Sequence, residues 1–504
     1  MLLLCTPIFA DELANQLADF SNGLAADIAV QDAPLVQSPQ IVTVTISADN
    51  PQGEAMPLYV LRQDVASDGT KQWEVVKLIG ALAPMNRTTV QLDIELTYPK
   101  ETHRNTRYAI VGRASDGQLY GSYFEINEDW SQYERNINDN LSAAIATYVP
   151  ILGGLLIILL IIMVQVAYSS KSKGVLPGEY TMKTLIFPEV EGRPFEEKIA
   201  DLMINPILIA FELACVGVLA FVMFDNVTRA SGFDQGVKIL VLSGIGAITI
   251  PFIYLAAAWY FEKREEGKPL RFFTGMFVWG MFAAFMSLLV SSSIISEMTA
   301  VDSASYALIA TMLIAPIVEE TFKGLGVLFM SGHHEFNDAL TGMLLGFACG
   351  VGFAFVENWF YFSTKVIPFD IGFFAWVQLI LYRSFFNTMA HGCFTAIAGT
   401  IIGYLRSIER LKKFARIAFV PGIFLAIVIH SIFNLSAIAD SVAIASRQVM
   451  FFIFNPMLII LLSAMFFLVL VFATIDEKKR KLAKKPMPRF DPPVQVGGGW
   501  QGQQ

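Results

Sequence analysis

The sequence predicts a multi-pass α-helical membrane protein of about nine spans with an N-terminal extracytoplasmic β-sandwich-like domain. Three observations predict it. The chain is 54% hydrophobic and 16% charged, with a mean hydropathy of +0.53; a water-soluble chain carries about a quarter of its residues as charges. Runs of about twenty apolar residues recur, the length that takes a helix across ~30 Å of hydrocarbon. The N-terminal part is different material, acidic and alternating rather than uniformly apolar. A net charge of −8 excludes nucleic acid as a partner, because phosphates select cationic surfaces.

Residues 1–10 (MLLLCTPIFA) read as the apolar core and small-residue end of a signal segment lacking the usual basic start, as a truncated one would. Residues 11–142 form the β-rich domain, with 19 acidic and 9 basic residues between Asp11 and Asp139. Apolar residues alternate through Val42, Val44 and Ile46, through Val90, Leu92, Ile94 and Leu96, and through Tyr108 and Ile110. Period two predicts strands that bury one face, six or seven in all. Asp68-Gly69 and Asp116-Gly117 are hairpin turn signals, and a short amphipathic helix through Leu13, Leu17, Phe20 and Leu24 precedes the strands. The domain's one histidine, His103, lies in a basic turn. No catalytic constellation is visible there, which leaves sensing, partner binding or spacing.

The first transmembrane helix is expected at 146–168, a cytoplasmic loop at 169–205 and a polytopic domain at 206–474. Its spans are 206–224, 237–260, 273–296, 304–330, 339–363, 371–405, 417–438 and 449–473, with a kink at Pro316 in the fifth span of the chain. Residues 475–504 are a basic tail, Pro- and Gly-rich at its end, that composition predicts to be disordered. One set of loops holds 21 Lys and Arg, while the alternate set holds only Arg229, Lys365 and Arg447. Basic loops stay in the cytoplasm, so the β domain lies outside and the C-terminus inside, in a bacterial plasma membrane. Cys5 falls in the signal segment, Cys215, Cys349 and Cys393 lie in apolar runs, and there is no Cys-x-x-Cys metal site.

An ionisable side chain at mid-bilayer costs at least about 2.5–3.5 kcal/mol on insertion scales, so each needs a reason. Span two holds Glu212 alone, read as a packing hydrogen bond or an interfacial residue. The others collect in spans five to eight. Glu319 and Glu320 are adjacent and Lys323 follows at i+4 and i+3, so the lysine can pair with one carboxylate and leave the other as base or ligand. Gly342, Gly346 and Gly350 repeat every four residues, a face for close helix packing. The same run ends in Glu357-Asn358, nearer the outer surface by residue count. Arg383, Asn387 and His391 fall at i, i+4 and i+8, and His430 and Asn434 at i and i+4.

Counting from the inner span ends at 1.5 Å per residue puts Glu320, His391 and His430 at one level, roughly 15–21 Å deep. A carboxylate and two imidazoles at one depth match catalytic zinc ligands. They equally suit a metal-free Glu–His pair that deprotonates water. Asn434 or Asn358 would then donate to the oxyanion. The expected catalytic set is Glu319, Glu320, His391, His430 and Asn434, supported by Lys323, Glu357, Asn358, Arg383 and Asn387. Glu320, His391 and His430 are the candidate ligands of zinc or another divalent ion.

Glu319-Glu320-x-x-Lys323, the glycine-rich helix ending Gly352-Phe353-Ala354 and Glu357-Asn358, Arg383 with His391, and His430-x-x-x-Asn434 occur in that order. Together they resemble the PrsW family of intramembrane proteases, part of the larger group of CAAX prenyl endopeptidases and Abi-type membrane proteins. The resemblance covers 304–438 and none of the β domain. It implies a multi-pass protease in which Glu319 or Glu320 activates water and His391 and His430 serve as ligands or proton partners. The family's known role, the first cut of an anti-sigma factor in regulated intramembrane proteolysis, implies a membrane-anchored protein as substrate. An exported β domain departs from the minimal pattern, so that particular substrate does not transfer. Two other classes compete: a proton- or ion-coupled transporter using the same residues as a relay, and a non-catalytic receptor or scaffold. Nothing like the Glu-Glu or His-x-x-x-Asn pattern recurs in spans one to four, which argues against the repeated halves of a transporter.

Overall fold

A computed structural model describes residues 39–50, 54–65, 71–84, 86–99, 101–115, 117–169, 193–265, 267–298, 308–438 and 453–484, and residues 17, 21, 22, 24, 26–30 and 449 besides. Eight strands come first: β1 (Ser21–Asn22), β2 (Ala26–Val30), β3 (Gln40–Asp49), β4 (Met56–Val65), β5 (Lys71–Leu82), β6 (Arg87–Leu96), β7 (His103–Arg113) and β8 (Leu119–Asp129). They build a five-stranded sheet ordered β1-β8-β7-β4-β5 and a three-stranded sheet ordered β2-β3-β6. Val42, Val44 and Ile46 of β3 and Leu92 and Ile94 of β6 share one buried core with Leu58 and Val60 of β4 and Tyr108 and Ile110 of β7. The alternating residues are therefore the inner faces of two stacked sheets. Gly117 turns the β7–β8 hairpin at φ +87, a backbone conformation that glycine adopts without steric cost. The Asp68-Gly69 signal lies outside the described residues, as do Leu13 and Phe20 of the expected helix. Leu17 is helical, but Leu24 belongs to no helix and sits in the sheet core.

Only Trp130 separates β8 from α1 (Ser131–Ser169). The helix that carries the expected span 146–168 thus begins at Ser131, and its N-terminal turns bury Ile137, Leu141 and Ala144. Asp129 caps it, its carboxylate accepting from the Ser131 amide at 3.0 Å. Tyr98 donates to Glu134 at 2.7 Å; burial, and then that carboxylate, push the pKa of the Tyr98 hydroxyl up.

The helices that follow are α2 (Phe195–Met203), α3 (Pro206–Ser231), α4 (Phe233–Glu265), α5 (Leu270–Ser296), α6 (Ala315–Met330), α7 (Ala339–Phe360), α8 (Phe373–Ser407), α9 (Phe419–Ile438) and α10 (Asn455–Lys484). Among the described residues seven helices are long and apolar enough to cross a membrane: α1, α3, α4, α5, α7 with its continuation to Lys365, α8 and α10. The chain is an integral membrane protein. Exposed Ile157, Phe221, Phe424 and Phe467 are its lipid-facing surface. The expected fifth and eighth spans coincide with shorter apolar helices, α6 and α9. Pro316 lies within helical backbone that runs unbroken from 308 to 330. It stands in the first turn of α6, where its missing N–H leaves no gap, and residues 310–314 ahead of it form a wider π-type turn. The expected loop 169–205 contains α2. The tail expected to be disordered from 475 continues as helix to Lys484, its run of Glu, Lys, Arg and Ala being good helix formers; residues beyond lie outside the described ones.

Helix α7 is buried almost throughout, and glycine is the reason it can be central. A Cβ on Gly350 would stand 2.1 Å from the His391 carbonyl, and one on Gly342 would stand 2.2 Å from that of Gly399, both on α8. On the opposite side Gly352 meets the Phe277 carbonyl of α5 at 1.9 Å by the same measure. Gly350→Val is expected to separate α7 from α8 and cost at least about 1–3 kcal/mol, the usual cost of overpacking, read as a lower midpoint of thermal unfolding in detergent. Gly217→Ala, whose added carbon meets nothing within 4 Å, should leave that midpoint in place.

Candidate active site

Helix periodicity decides which side chains face inward. On α6, Glu320 and Lys323 are one turn apart and fully buried (0% side-chain exposure), while Glu319 keeps 14%. Lys323 Nζ lies 2.5 Å from Glu320 Oε1, 3.1 Å from His391 Nδ1 and 4.3 Å from the centre of the Phe353 ring. An ammonium has donors only, so it fixes the tautomer of His391. Nδ1 accepts, Nε2 carries the hydrogen, and that hydrogen is donated to Glu357 Oε2 at 2.9 Å. On α9, His430 Nδ1 donates to the same Glu320 oxygen at 2.8 Å, which leaves a lone pair on Nε2. That atom faces Glu319 Oε2 at 3.8 Å, and Glu319 Oε2 is a buried atom without a hydrogen-bond partner. The two imidazole rings meet edge to face, 5.0 Å apart, and Phe394 stacks on His430 at 4.9 Å.

A second layer holds Glu357. Arg383 Nη2 donates to its Oε1 at 3.2 Å and Asn387 Nδ2 to its Oε2 at 3.0 Å. Asn358 accepts from Arg383 Nε and from Asn387, at 3.2 and 3.1 Å, and the guanidinium rests 4.1 Å over the Tyr361 ring. Glu319 and Glu357, with 14% and 28% of their side chains exposed, are the two carboxylates reachable from outside the cluster. Glu320 and Lys323 lie behind them.

The structure therefore brings Glu319, Glu320, Lys323, Glu357, Asn358, Arg383, Asn387, His391 and His430 into one network. Four expectations change. The metal-ligand set that falls together is Glu319, His391 and His430, whose donor atoms lie within 4.8 Å of one another. It is not Glu320 with the two histidines, because Glu320 is spent on Lys323 and the far nitrogen of His430. Glu357 belongs to the centre rather than the outer side. Side chains lean toward the N-terminus of their helix, so Glu357 on α7 and His391 on antiparallel α8 lean toward each other, which a residue count misses. Asn434 stands apart, donating to the Thr311 carbonyl in the π-type turn at 3.0 Å, and the donors of Asn358 are turned to the Arg383 carbonyl; neither is placed as an oxyanion donor. Phe394 and Tyr361 went unread because apolar rings in apolar spans carry no signal. Glu212 makes no packing hydrogen bond: it is 1% exposed and both its oxygens lack a partner.

The donor set fits a divalent ion. It combines two imidazoles and a carboxylate, an orphaned buried oxygen, and a carboxylate on the second nitrogen of His430, the usual partner of a liganding imidazole. To ligate through Nε2, His391 would have to take the other tautomer, its Nδ1 receiving a proton from Lys323 as the Nε2 hydrogen passes to Glu357.

An apolar helical bundle around a buried, partly accessible Glu–His cluster is the class of membrane protein that can activate water inside the bilayer. Residues 268–470 match the PrsW family intramembrane metalloprotease profile. Protease PrsW of Geobacillus kaustophilus is 23% identical over 175 residues, 34% of this chain and 72% of that protein. Protease PrsW of Halalkalibacterium halodurans is 21% identical over 222 residues, 44% of this chain and 93% of that protein. The chain thus resembles the PrsW family through its C-terminal membrane part, and the match leaves out the β domain. No solved structure matches.

Lys323→Met should strand the Glu320 carboxylate in an apolar interior and cost about 3–5 kcal/mol, as removal of one partner from a buried ion pair does. Chemical unfolding in detergent measures it, and adding Glu320→Gln to that variant should recover part of the loss. Equal stability of Lys323→Met and the parent protein would show that the pair carries no structural weight.

Proposed function

We propose that this protein is an intramembrane endopeptidase that hydrolyses a peptide bond of a membrane-anchored protein at Glu319, His391 and His430. The observation that supports it is the convergence of those three side chains, from three helices, on one small volume, with Glu320 holding the second nitrogen of His430. Of that set the two imidazoles would hold a divalent ion such as zinc, which when bound supplies Lewis acidity and lowers the pKa of a coordinated water to about 7, and Glu319, beside them, stays free to act as base. Lys323 and Glu320 are positioning residues that fix both imidazole tautomers. Glu357 orients His391 through its Nε2 side. Of the two reachable carboxylates Glu319 keeps an oxygen without a partner, whereas Arg383 and Asn387 engage Glu357. Glu319 takes a proton from the attacking water and returns it to the departing amine, so the peptide C–N bond breaks as the new C–O bond forms.

The topology that goes with this reading has nine spans, including α6 and α9, with the β domain outside and the C-terminus in the cytoplasm of a bacterial cell. The loop asymmetry in Lys and Arg supports it. The β domain then recruits substrate or senses a signal on the outer side. The substrate need not be an anti-sigma factor, because the family profile matches only the membrane part.

The experiment is cleavage of a transmembrane reporter by purified protein. Glu319→Gln is expected to slow it by about 100- to 10,000-fold, the range for loss of a general base, with unfolding behaviour retained. Asn434→Ala should cut within a few-fold of the parent rate, because its hydrogen bond lies outside the cluster. Parent-level cleavage by folded Glu319→Gln would falsify the assignment.

A further inference from the structure

The loop joining α6 to α7 reads Ser331-Gly-His-His-Glu-Phe-Asn-Asp338, and two of its residues take no part in the membrane cluster. His333 is fully buried (0%) and His334 is 41% exposed, with their rings stacked 4.3 Å apart. Both face α2. His334 Nδ1 meets Glu197 Oε1 at 2.5 Å, and His333 Nε2 lies 3.4 Å from Asp201 Oδ1. The backbones touch as well, since a Cβ on Gly332 would stand 2.3 Å from the Glu196 carbonyl. Two other ion pairs frame the group: Arg193 binds Asp201 at 3.0 Å and Lys268 binds Glu335 at 2.8 Å. Their cations thus go to Asp201 and Glu335, and Glu197 is left to meet an imidazole.

From this geometry we infer a second metal site, in which Glu197, His333 and His334 hold a divalent transition ion of the zinc class and clamp α2 onto the α6–α7 loop. One donor atom from each of the three lies within 4.8 Å of the others, and two imidazoles with a carboxylate suit such an ion. Asp201, fixed by Arg193, stands where a carboxylate orients a liganding imidazole. Its Oδ1, 3.4 Å from Nε2 of His333, can take the hydrogen on that nitrogen and so direct Nδ1, whose present neighbour is the Glu335 amide at 3.1 Å, to the ion. The clamp is structural. It ties a surface helix to the loop that follows the Glu319-bearing helix and precedes the Glu357-bearing one.

The test titrates the purified full chain with Co²⁺ and Zn²⁺, scoring metal content after dialysis and the visible absorption of four-coordinate Co²⁺. His334→Gln, at a half-exposed position, should remove one equivalent of metal. Asp201→Asn should weaken the same equivalent about 10- to 100-fold, the range for loss of a partner behind a ligand. Combined Glu319→Gln and His430→Ala should leave that equivalent in place, which separates this site from the membrane cluster whether or not the latter binds metal. Unaltered metal content in folded His334→Gln, or a parent protein that retains no metal, would overturn the inference. Bound Zn²⁺ should also slow proteolysis near α2 in the parent protein and not in His334→Gln.

Discussion

A single ammonium group organises the centre of the membrane domain. Lys323 has no exposed surface, and leaving it unpaired in hydrocarbon would cost several kcal/mol, a large share of a typical folding free energy. The chain answers with a carboxylate from the same helix, an imidazole lone pair from α8 and the face of an α7 aromatic ring. Each answer has a consequence. Engaging Glu320 leaves Glu319 open; engaging Nδ1 of His391 forces its hydrogen onto Nε2, toward Glu357. With one oxygen of Glu320 shared by Lys323 and His430, the lone pair of His430 points back at Glu319. The geometry of the cluster is thus a by-product of satisfying a buried charge. Replacing Lys323 by an apolar residue would disturb the histidines as well as the pair.

That arrangement is possible only because backbones come unusually close. Where α7 crosses α8, the Gly350 Cα side meets the carbonyl of His391 itself, so the residue that sets interhelical distance also sets the depth of the imidazole. Larger residues on that face would push α8 outward and lengthen the 2.9 Å contact between His391 and Glu357. Helix packing in lipid gains little from the hydrophobic effect and depends on such close contact, and here packing and site geometry are the same constraint.

Much of this was legible in the sequence because polar residues in apolar spans are expensive and so carry information. Glu319, Glu320, Lys323, His391 and His430 could be picked out on that ground, and the alternation in the N-terminal part marked its buried faces residue by residue. Other features were beyond reach for physical reasons. Both glutamates lie within one turn of Lys323, so spacing does not say which is paired. The place of Glu357 depends on the lean of side chains along antiparallel helices, and the partner of Asn434 is a carbonyl in an irregular turn that no periodicity announces. His333 and His334 sit in a polar loop, where histidine is unremarkable until the fold lays α2 beside it.

Among its described residues the β domain shows no cluster like that of the membrane helices, yet it is not loosely tethered. With Trp130 alone between β8 and α1, and Trp130 fully buried and bonded to Glu128 at 2.9 Å, the last strand and the first membrane helix have no flexible joint. A few residues on, Tyr133 donates to the carbonyl of Phe369 at 3.0 Å, and the Tyr98 ring lies 5.6 Å from the Phe369 ring. Phe369 belongs to the short connection between α7 and α8, the two helices that supply Glu357, Arg383, Asn387 and His391. Lys238 of α4 adds a further tie, donating to Asn138 of α1 at 2.8 Å. A domain held at these points cannot tumble independently of the helices it touches, so anything it binds is presented at a fixed position relative to the cluster. The family profile matches residues 268–470, so of this attachment only Phe369 lies in the matched part, and the strands, Tyr98, Trp130, Tyr133 and Lys238 lie outside it.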